Sequence, residues 1–194
     1  MILFQTIPEE VKMLRDQNLD SYIRLIAQDS RDGLEALYRE TSTAIYAYAL
    51  SVLKDPHDAE DVLQECYLRI HASAQSYTSA GKPMAWIMTI AKNLCLMHLR
   101  QRQRSVELSD EDWNHYLEDS RQMDPDDRLI LAECMSRLSE QERQIITLHA
   151  VAGFKHREIA QFLHIPLPTV LSKYHRSIQK LKRLFPKGED EDEG

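Results

Sequence analysis

Glycine is scarce in this chain, 5 residues in 194, and no stretch alternates apolar and polar residues convincingly. A sheet-rich fold would need that period of two along its strands, so β architectures are set aside. Aromatics are few, whereas Leu, Ala, Gln, Glu, Lys and Arg are plentiful, which favours helix. The expectation is an all-α protein. No run approaches the roughly 20 apolar residues of a membrane span. The opening Met1-Ile2-Leu3-Phe4 has no basic start and is broken by Pro8, Glu9 and Glu10, so no signal segment or membrane insertion is expected and the expected location is the cytoplasm. Cysteine is rare and scattered: Cys66, Cys95 and Cys134 form no CxxC and no close Cys/His pair. They read as small buried residues in a reducing compartment, not as a disulfide framework or zinc ligands. No GxSxG, Walker loop or HExxH is present, and no histidine or further acid converges by spacing on the carboxylates Asp61 and Glu65. No catalytic residue, metal or cofactor is expected, and the chain does not read as an enzyme.

Net charge is −7, which at face value argues against nucleic acid. Distribution reverses that inference. From Lys82 to Arg104 the charged residues are Lys82, Lys92, Arg100, Arg102 and Arg104, with no acid among them. From Lys155 to Lys187 the cations Lys155, Arg157, Lys173, Arg176, Lys180, Lys182, Arg183 and Lys187 face the single acid Glu158. Acids gather instead between Glu107 and Asp127 and in the tail Glu189-Asp190-Glu191-Asp192-Glu193. Either basic run alone is an ordinary solvated helix face. Two of them separated by an acidic connector suggest two DNA-facing modules.

Helix starts are legible because a capping residue followed by proline recurs, and proline's missing N–H is harmless at the first helical position. Asp55-Pro56, Lys82-Pro83 and Asp124-Pro125 each open a helix, and Ser139-Glu140-Gln141-Glu142 is a capping box. The expected helices lie near 31–53, 56–77, 83–104, 125–138, 139–152, 156–163 and 167–185. Residues 1–19 form an N-terminal extension in which Val11, Leu14 and Leu19 are spaced for an amphipathic helix. Residues 20–104 make an N-terminal helical domain, 105–123 an acidic linker, 124–186 a C-terminal domain and 187–194 an acidic tail, which reads as disordered.

Within the C-terminal domain, Ile145, Ile146, Leu148, Ile159, Phe162, Leu163, Val170, Tyr174, Ile178 and Leu181 fall at core spacings. His164-Ile165-Pro166 supplies a tight turn, and Pro168 stands in the first turn of the next helix. This is a helix-turn-helix, whose second helix enters the major groove while the first crosses the backbone. Leu171, Ser172, Lys173, His175 and Arg176 lie on or beside the non-core face, as candidates for base and phosphate contacts, while Lys155 and Arg157 read as phosphate-positioning. Leu138-Ser139, Glu158-Ile159-Ala160, Ile165-Pro166 and Thr169-Val170, with Ser172, His175 and Arg176, resemble sigma region 4 of the extracytoplasmic-function (ECF) sigma factors. The resemblance implies reading of the minus-35 promoter element, Thr169 included, and packing on the polymerase flap. Lys155, Pro168 and Leu171 depart from that family's usual capping hydroxyl, glycine and basic residue, which bears on the DNA sequence read and not on the fold.

Asp55-Pro56-His57-Asp58-Ala59-Glu60-Asp61-Val62-Leu63-Gln64-Glu65-Cys66-Tyr67 resembles sigma region 2.2. Ala59, Val62, Leu63, Cys66 and Ile70 make an inward stripe, and Asp61, Gln64 and Glu65 share an outer face. By itself that face is a solvated acidic surface. The resemblance implies that it binds the clamp helices of the polymerase largest subunit. Pro83 to Leu94, with Arg100, resembles regions 2.3 and 2.4, which read the minus-10 element, the preceding loop holding a flipped base. Extruding a base costs a few kcal/mol, so a pocket that captures it couples recognition to strand opening. The candidate pocket groups are Gln75, Ser76, Tyr77, Thr78 and Ser79, and the candidate base or backbone contacts are Lys92, Asn93, Arg100 and Arg104. Trp86, spaced with Ile90 and Leu94, reads as core. Met97 stands where the family usually has aspartate.

The two resemblances cover most of residues 20–185 in family order. They imply an alternative sigma factor whose partners are RNA polymerase core and promoter DNA, with the chemistry delegated to the polymerase. Whether an anti-sigma factor holds the chain is left open by the sequence. Two further readings stand: a sigma-like DNA-binding regulator independent of core polymerase, for which the Asp61/Gln64/Glu65 face would be superfluous, and a protein-interaction helical module, for which the basic recognition helix would be.

Overall fold

The computed structural model of the chain describes residues 9–104 and 136–184. Among them are seven α-helices and one short 3-10 turn, and no strand. The first helix, α1 (Glu9–Ile26), runs continuously across the boundary expected at residue 20. Its inner half is tied down by Leu19, Ile23 and Ile26, all essentially inaccessible, while Val11, Met13 and Leu14 of its outer half are exposed. Helix α2 (Arg31–Leu53) starts at Ser30, whose Oγ accepts from the Gly33 N–H at 3.3 Å. Gly33 is demanded by packing: a Cβ there would stand 2.7 Å from Leu25 Cβ and 3.1 Å from the Tyr22 carbonyl oxygen. Helix α3 (Pro56–Ser73) opens as its sequence dictates, with Asp55 Oδ1 accepting from the His57 and Asp58 N–H groups at 2.9 and 3.1 Å. It ends at Ser73, and Ala74–Ser76 continue as the 3-10 turn, so the helix expected to reach residue 77 tightens over its last residues.

Helix α4 (Pro83–Arg104) completes the N-terminal module. The inward stripe of α3 is where spacing put it: Ala59, Val62, Cys66 and Ile70 are fully buried and Leu63 packs against the core beside them. They share one buried cluster with Leu37 and Ile45 of α2 and Ile87 and Met88 of α4, and each fully buried Val, Leu, Ile or Met contributes about 1.5–3 kcal/mol. Cys66 and Cys95 are buried free thiols, and burial pushes both up to about 12, which makes them unreactive.

The C-terminal module contains α5 (Glu140–Ala150), α6 (His156–Leu163) and α7 (Leu167–Leu184). Glu142 closes the capping box by accepting from the Ser139 N–H at 2.8 Å, and its carboxylate also receives Lys180 Nζ of α7 at 2.7 Å. Lys155, the residue before α6, has no acceptor on its side chain; Glu158 accepts from its N–H at 2.9 Å instead. His164 ends α6 in the left-handed region at φ 55°, and the Ile165 N–H returns to the Ala160 carbonyl at 3.1 Å. That turn swings the chain into α7. The helix expected near 125–138, all but its last residues, lies outside the described residues, as do the linker, Cys134 and the acidic tail.

Sequence spacing gave no hint that the two modules share one core, yet α5 lies along α2 and the buried cluster is continuous from Leu19 to Val170. Phe162 of α6 is the hinge of this packing, meeting Tyr48 of α2 edge-on at 5.6 Å and Phe154 at 5.6 Å. Polar contacts border it. Lys12 Nζ lies 2.6 Å from Glu158 Oε2, and Arg15 Nη1 donates to the Ala152 carbonyl at 3.3 Å.

Candidate nucleic-acid interface

On α3, opposite the buried stripe, Asp61 and Gln64 are exposed and Glu65 is half-buried, held by Arg69 Nε at 2.7 Å one turn on. Leu68, 66% exposed, continues the same face, so an apolar side chain stands beside the carboxylates and the amide. In the 3-10 turn and just beyond it, Gln75, Ser76, Thr78 and Ser79 are exposed. Tyr77 is different: its ring packs on Trp86 at 4.7 Å and its hydroxyl donates to Asp20 Oδ1 at 2.5 Å. Burial and then the Asp20 carboxylate push the Tyr77 phenol up, so it remains a donor. Trp86 itself is half-buried against the core, its role shared between packing and supporting this loop.

On α4, Asn93 and Arg100 are exposed, and Arg104 is the helix's last residue. Lys92 is not turned to solvent. Its Nζ donates to the Phe162 carbonyl and lies 4.9 Å from the Phe162 ring centroid, and burial lowers its pKa. Arg102 is spent on structure, donating to the Leu53 carbonyl at 3.1 Å and lying 3.4 Å from Asp58. Of the cations on this helix, then, one is committed to the other module and one to the start of α3.

On α7 the arrangement is more open. Leu171, Ser172, His175 and Arg176 are exposed on one face, with Lys173 and Thr169 half-buried beside them, while Val170 and Ser177 are fully buried on the other. Lys155 and Arg157 are exposed at the start of α6. A basic second helix with its side chains clear of the core, preceded by a tight turn and a crossing helix, has the geometry of a major-groove reader.

Both modules match known families. The Sigma-70 region 2 family matches residues 37–105, and the Sigma-70, region 4 family matches residues 128–181. The ECF RNA polymerase sigma factor SigK of Mycobacterium sp. (strain KMS) is 30% identical over 178 residues, covering 85% of this chain and 89% of that relative. The chain belongs to the ECF sigma factors. It is an alternative sigma factor, a subunit for transcription initiation. The ECF sigma factor SigM of Bacillus subtilis (strain 168) is 26% identical over 158 residues, covering 80% of this chain and 96% of its own. The same fold occurs in CnrH, solved with the cytosolic domain of CnrY (TM-score 0.56, 18% identity, 86% of this chain and 96% of that one). It occurs too in the sigma factor RpoE solved with the anti-sigma factor NepR from Bartonella quintana (TM-score 0.62, 22% identity, 80% and 97%).

Against that family background, the contacts that sequence reasoning missed are those between distant segments. Asp20 binds two loop residues, Tyr77 and, at 2.6 Å, Ser79; Lys12 reaches Glu158, and Phe162 captures Lys92. No spacing rule relates residues 57 or 146 positions apart. Among the described residues no helix of this sigma factor is long and apolar enough to cross a membrane.

Proposed function

We propose that this sigma factor docks on RNA polymerase core through the Asp61, Gln64 and Glu65 face of α3 and works in the cytoplasm. The loop before α4, with α4 itself, then reads the minus-10 element, and the exposed face of α7 reads minus-35. The observation that carries the docking reading is the outer face of α3: Asp61 and Gln64 are exposed there, on a helix whose opposite face is fully committed to the core. An acidic and amide surface meeting basic clamp helices would give complementary charge, with Leu68 adding apolar contact at its edge.

Promoter reading on this scheme is bivalent. Each DNA contact is weak alone, and holding both modules on one polymerase raises the effective concentration of the second for its element. Lys92 joins the minus-10 surface only when α6 moves off it, because its Nζ is taken up by Phe162 in the packed arrangement. We extend an anti-sigma partner to this chain as well, since the sigma factor RpoE, which shares this fold, was solved with the anti-sigma factor NepR.

The deciding experiment is the affinity of the full chain for bacterial core polymerase, beside an Asp61→Ala/Gln64→Ala/Glu65→Ala variant. Tight binding that the variant loses supports the docking face. Equal binding by both places the contact elsewhere, and no binding by either favours a DNA-binding regulator independent of core polymerase.

A further inference from the structure

The segment between the 3-10 turn and α4 has few fastenings of its own. Among the described residues, backbone hydrogen bonding stops at Tyr77, whose N–H donates to the Ala74 carbonyl at 3.2 Å, and resumes at Ala85. Besides the Tyr77 ring against Trp86, the stretch between is held by one carboxylate from another helix. Asp20 Oδ1 accepts from Tyr77 Oη at 2.5 Å, and Asp20 Oδ2 accepts from Ser79 Oγ at 2.6 Å. Asp20 stands on a firm base, since its neighbours Leu19 and Ile23 on α1 are fully buried.

The spacing of the two donors has a geometric result. With Tyr77 and Ser79 both bound to Asp20, Thr78 between them is left exposed. The charge of the Asp20 carboxylate strengthens both hydroxyl hydrogen bonds it accepts.

We propose that Asp20 is a positioning residue for minus-10 recognition, clamping Tyr77 and Ser79 so that Gln75, Ser76 and Thr78 meet the opened strand in one set geometry. This rests on the reading of the loop as the minus-10 reader, and the experiment separates the two. The full chain, assembled with core polymerase, initiates transcription in vitro from a plasmid pool randomised at the minus-10 positions, and the transcribed templates are sequenced. A Gln75→Ala/Thr78→Ala variant tests the reading; Asp20→Ala, and a Tyr77→Phe/Ser79→Ala variant that keeps the carboxylate but removes its donors, test the clamp.

Losing two charge-assisted hydrogen bonds should lower discrimination between best and poor minus-10 sequences at least about tenfold in both clamp variants. Core affinity should stay at the wild-type level, and the Tyr77 amide, which donates to the Ala74 carbonyl, should exchange faster. Asp20→Asn, whose amide nitrogen cannot accept the second hydroxyl, should fall between. If Asp20→Ala unfolds the module, Asp20→Asn, which leaves every loop side chain in place, decides. Unchanged selection in the clamp variants, with altered selection in Gln75→Ala/Thr78→Ala, overturns the clamp. Unchanged selection in all of them overturns the loop reading on which the clamp depends.

Discussion

Helices α4 and α7 invite comparison, because each is basic, each carries proline in its first turn, and each is the proposed DNA-facing helix of its module. They differ in what surrounds them. On α7 the residues Leu171, Ser172, His175 and Arg176 face solvent, whereas on α4 Lys92 is bound to Phe162 of the other module and Arg102 to the start of α3. The packed arrangement of this sigma factor therefore takes up two cations of α4 and leaves the outer face of α7 open. On the proposed scheme, any step that parts the modules should change the minus-10 side more than the minus-35 side.

The largest effect should come from breaking the open side at its foundation. Ile159 is fully buried where α6 crosses toward α7, so Ile159→Ala should cost about 3 kcal/mol, read as a drop in the thermal midpoint. Leu171→Ala, on the exposed face, should change stability by no more than about 0.5 kcal/mol while altering minus-35 preference. Equal melting of the two variants would mean that α7 is not oriented as described. Next in size is Phe162→Ala, which removes the ring lying against Tyr48 and Lys92. Because Phe162 is half-buried, a loss of about 2 kcal/mol is expected, below the usual range for a core phenylalanine. Small-angle scattering should show a larger radius of gyration, and a single-stranded minus-10 oligonucleotide should bind more tightly. An unchanged radius would show that Phe162 does not hold the modules together.

Much of each module was legible in sequence, for local reasons. Asp55-Pro56 fixed the start of α3 because cap and first-turn chemistry act within four residues, and the Ala59/Val62/Cys66/Ile70 stripe followed from helical period alone. The turn at His164 was readable from Ile165-Pro166, though not that a histidine would take the left-handed position where glycine is usual. Lys92 was legible as a cation on a DNA-facing helix. Its actual partner, a backbone carbonyl 70 positions away, was not, because contacts between separately stable helical modules leave no periodic signature. Asp20 escaped for the same reason.

A smaller effect concerns acid. His156 stacks on His149 at 4.6 Å and meets Tyr174 at 4.6 Å, with His175 nearby, and its buried Nε2 has no hydrogen-bond partner among the described residues. Burial first, then the two histidines, lower its pKa. The unfolded chain therefore binds this proton more readily than the folded one, so the C-terminal module should lose stability as pH falls below about 6.5 and stop losing it below the folded-state pKa. His156→Gln should flatten that slope in melts taken between these limits. A slope equal to wild type would assign the acid sensitivity to other groups.

The smallest effect tests the border of the packed arrangement. Lys12 and Glu158 are only partly exposed, 19% and 22% at their side chains, so Lys12→Glu should weaken the packing by about 1 kcal/mol, less in high salt. Glu158 complicates a simple charge swap, because the same oxygen that receives Lys12 accepts from the Lys155 N–H and caps α6. A double-mutant cycle should therefore pair Lys12→Gln with Glu158→Gln, which keeps an acceptor for the cap and removes only the charge. Burial alone would raise the Glu158 pKa, yet Lys12 and the Lys155 N–H outweigh it and hold the group below its ordinary value. Its contribution is accordingly present above about pH 4.3 and is lost as pH falls through the folded-state value, so the coupling energy should vanish in acid. A coupling that survives there would show that Lys12 holds the second module through its packing and not through its charge.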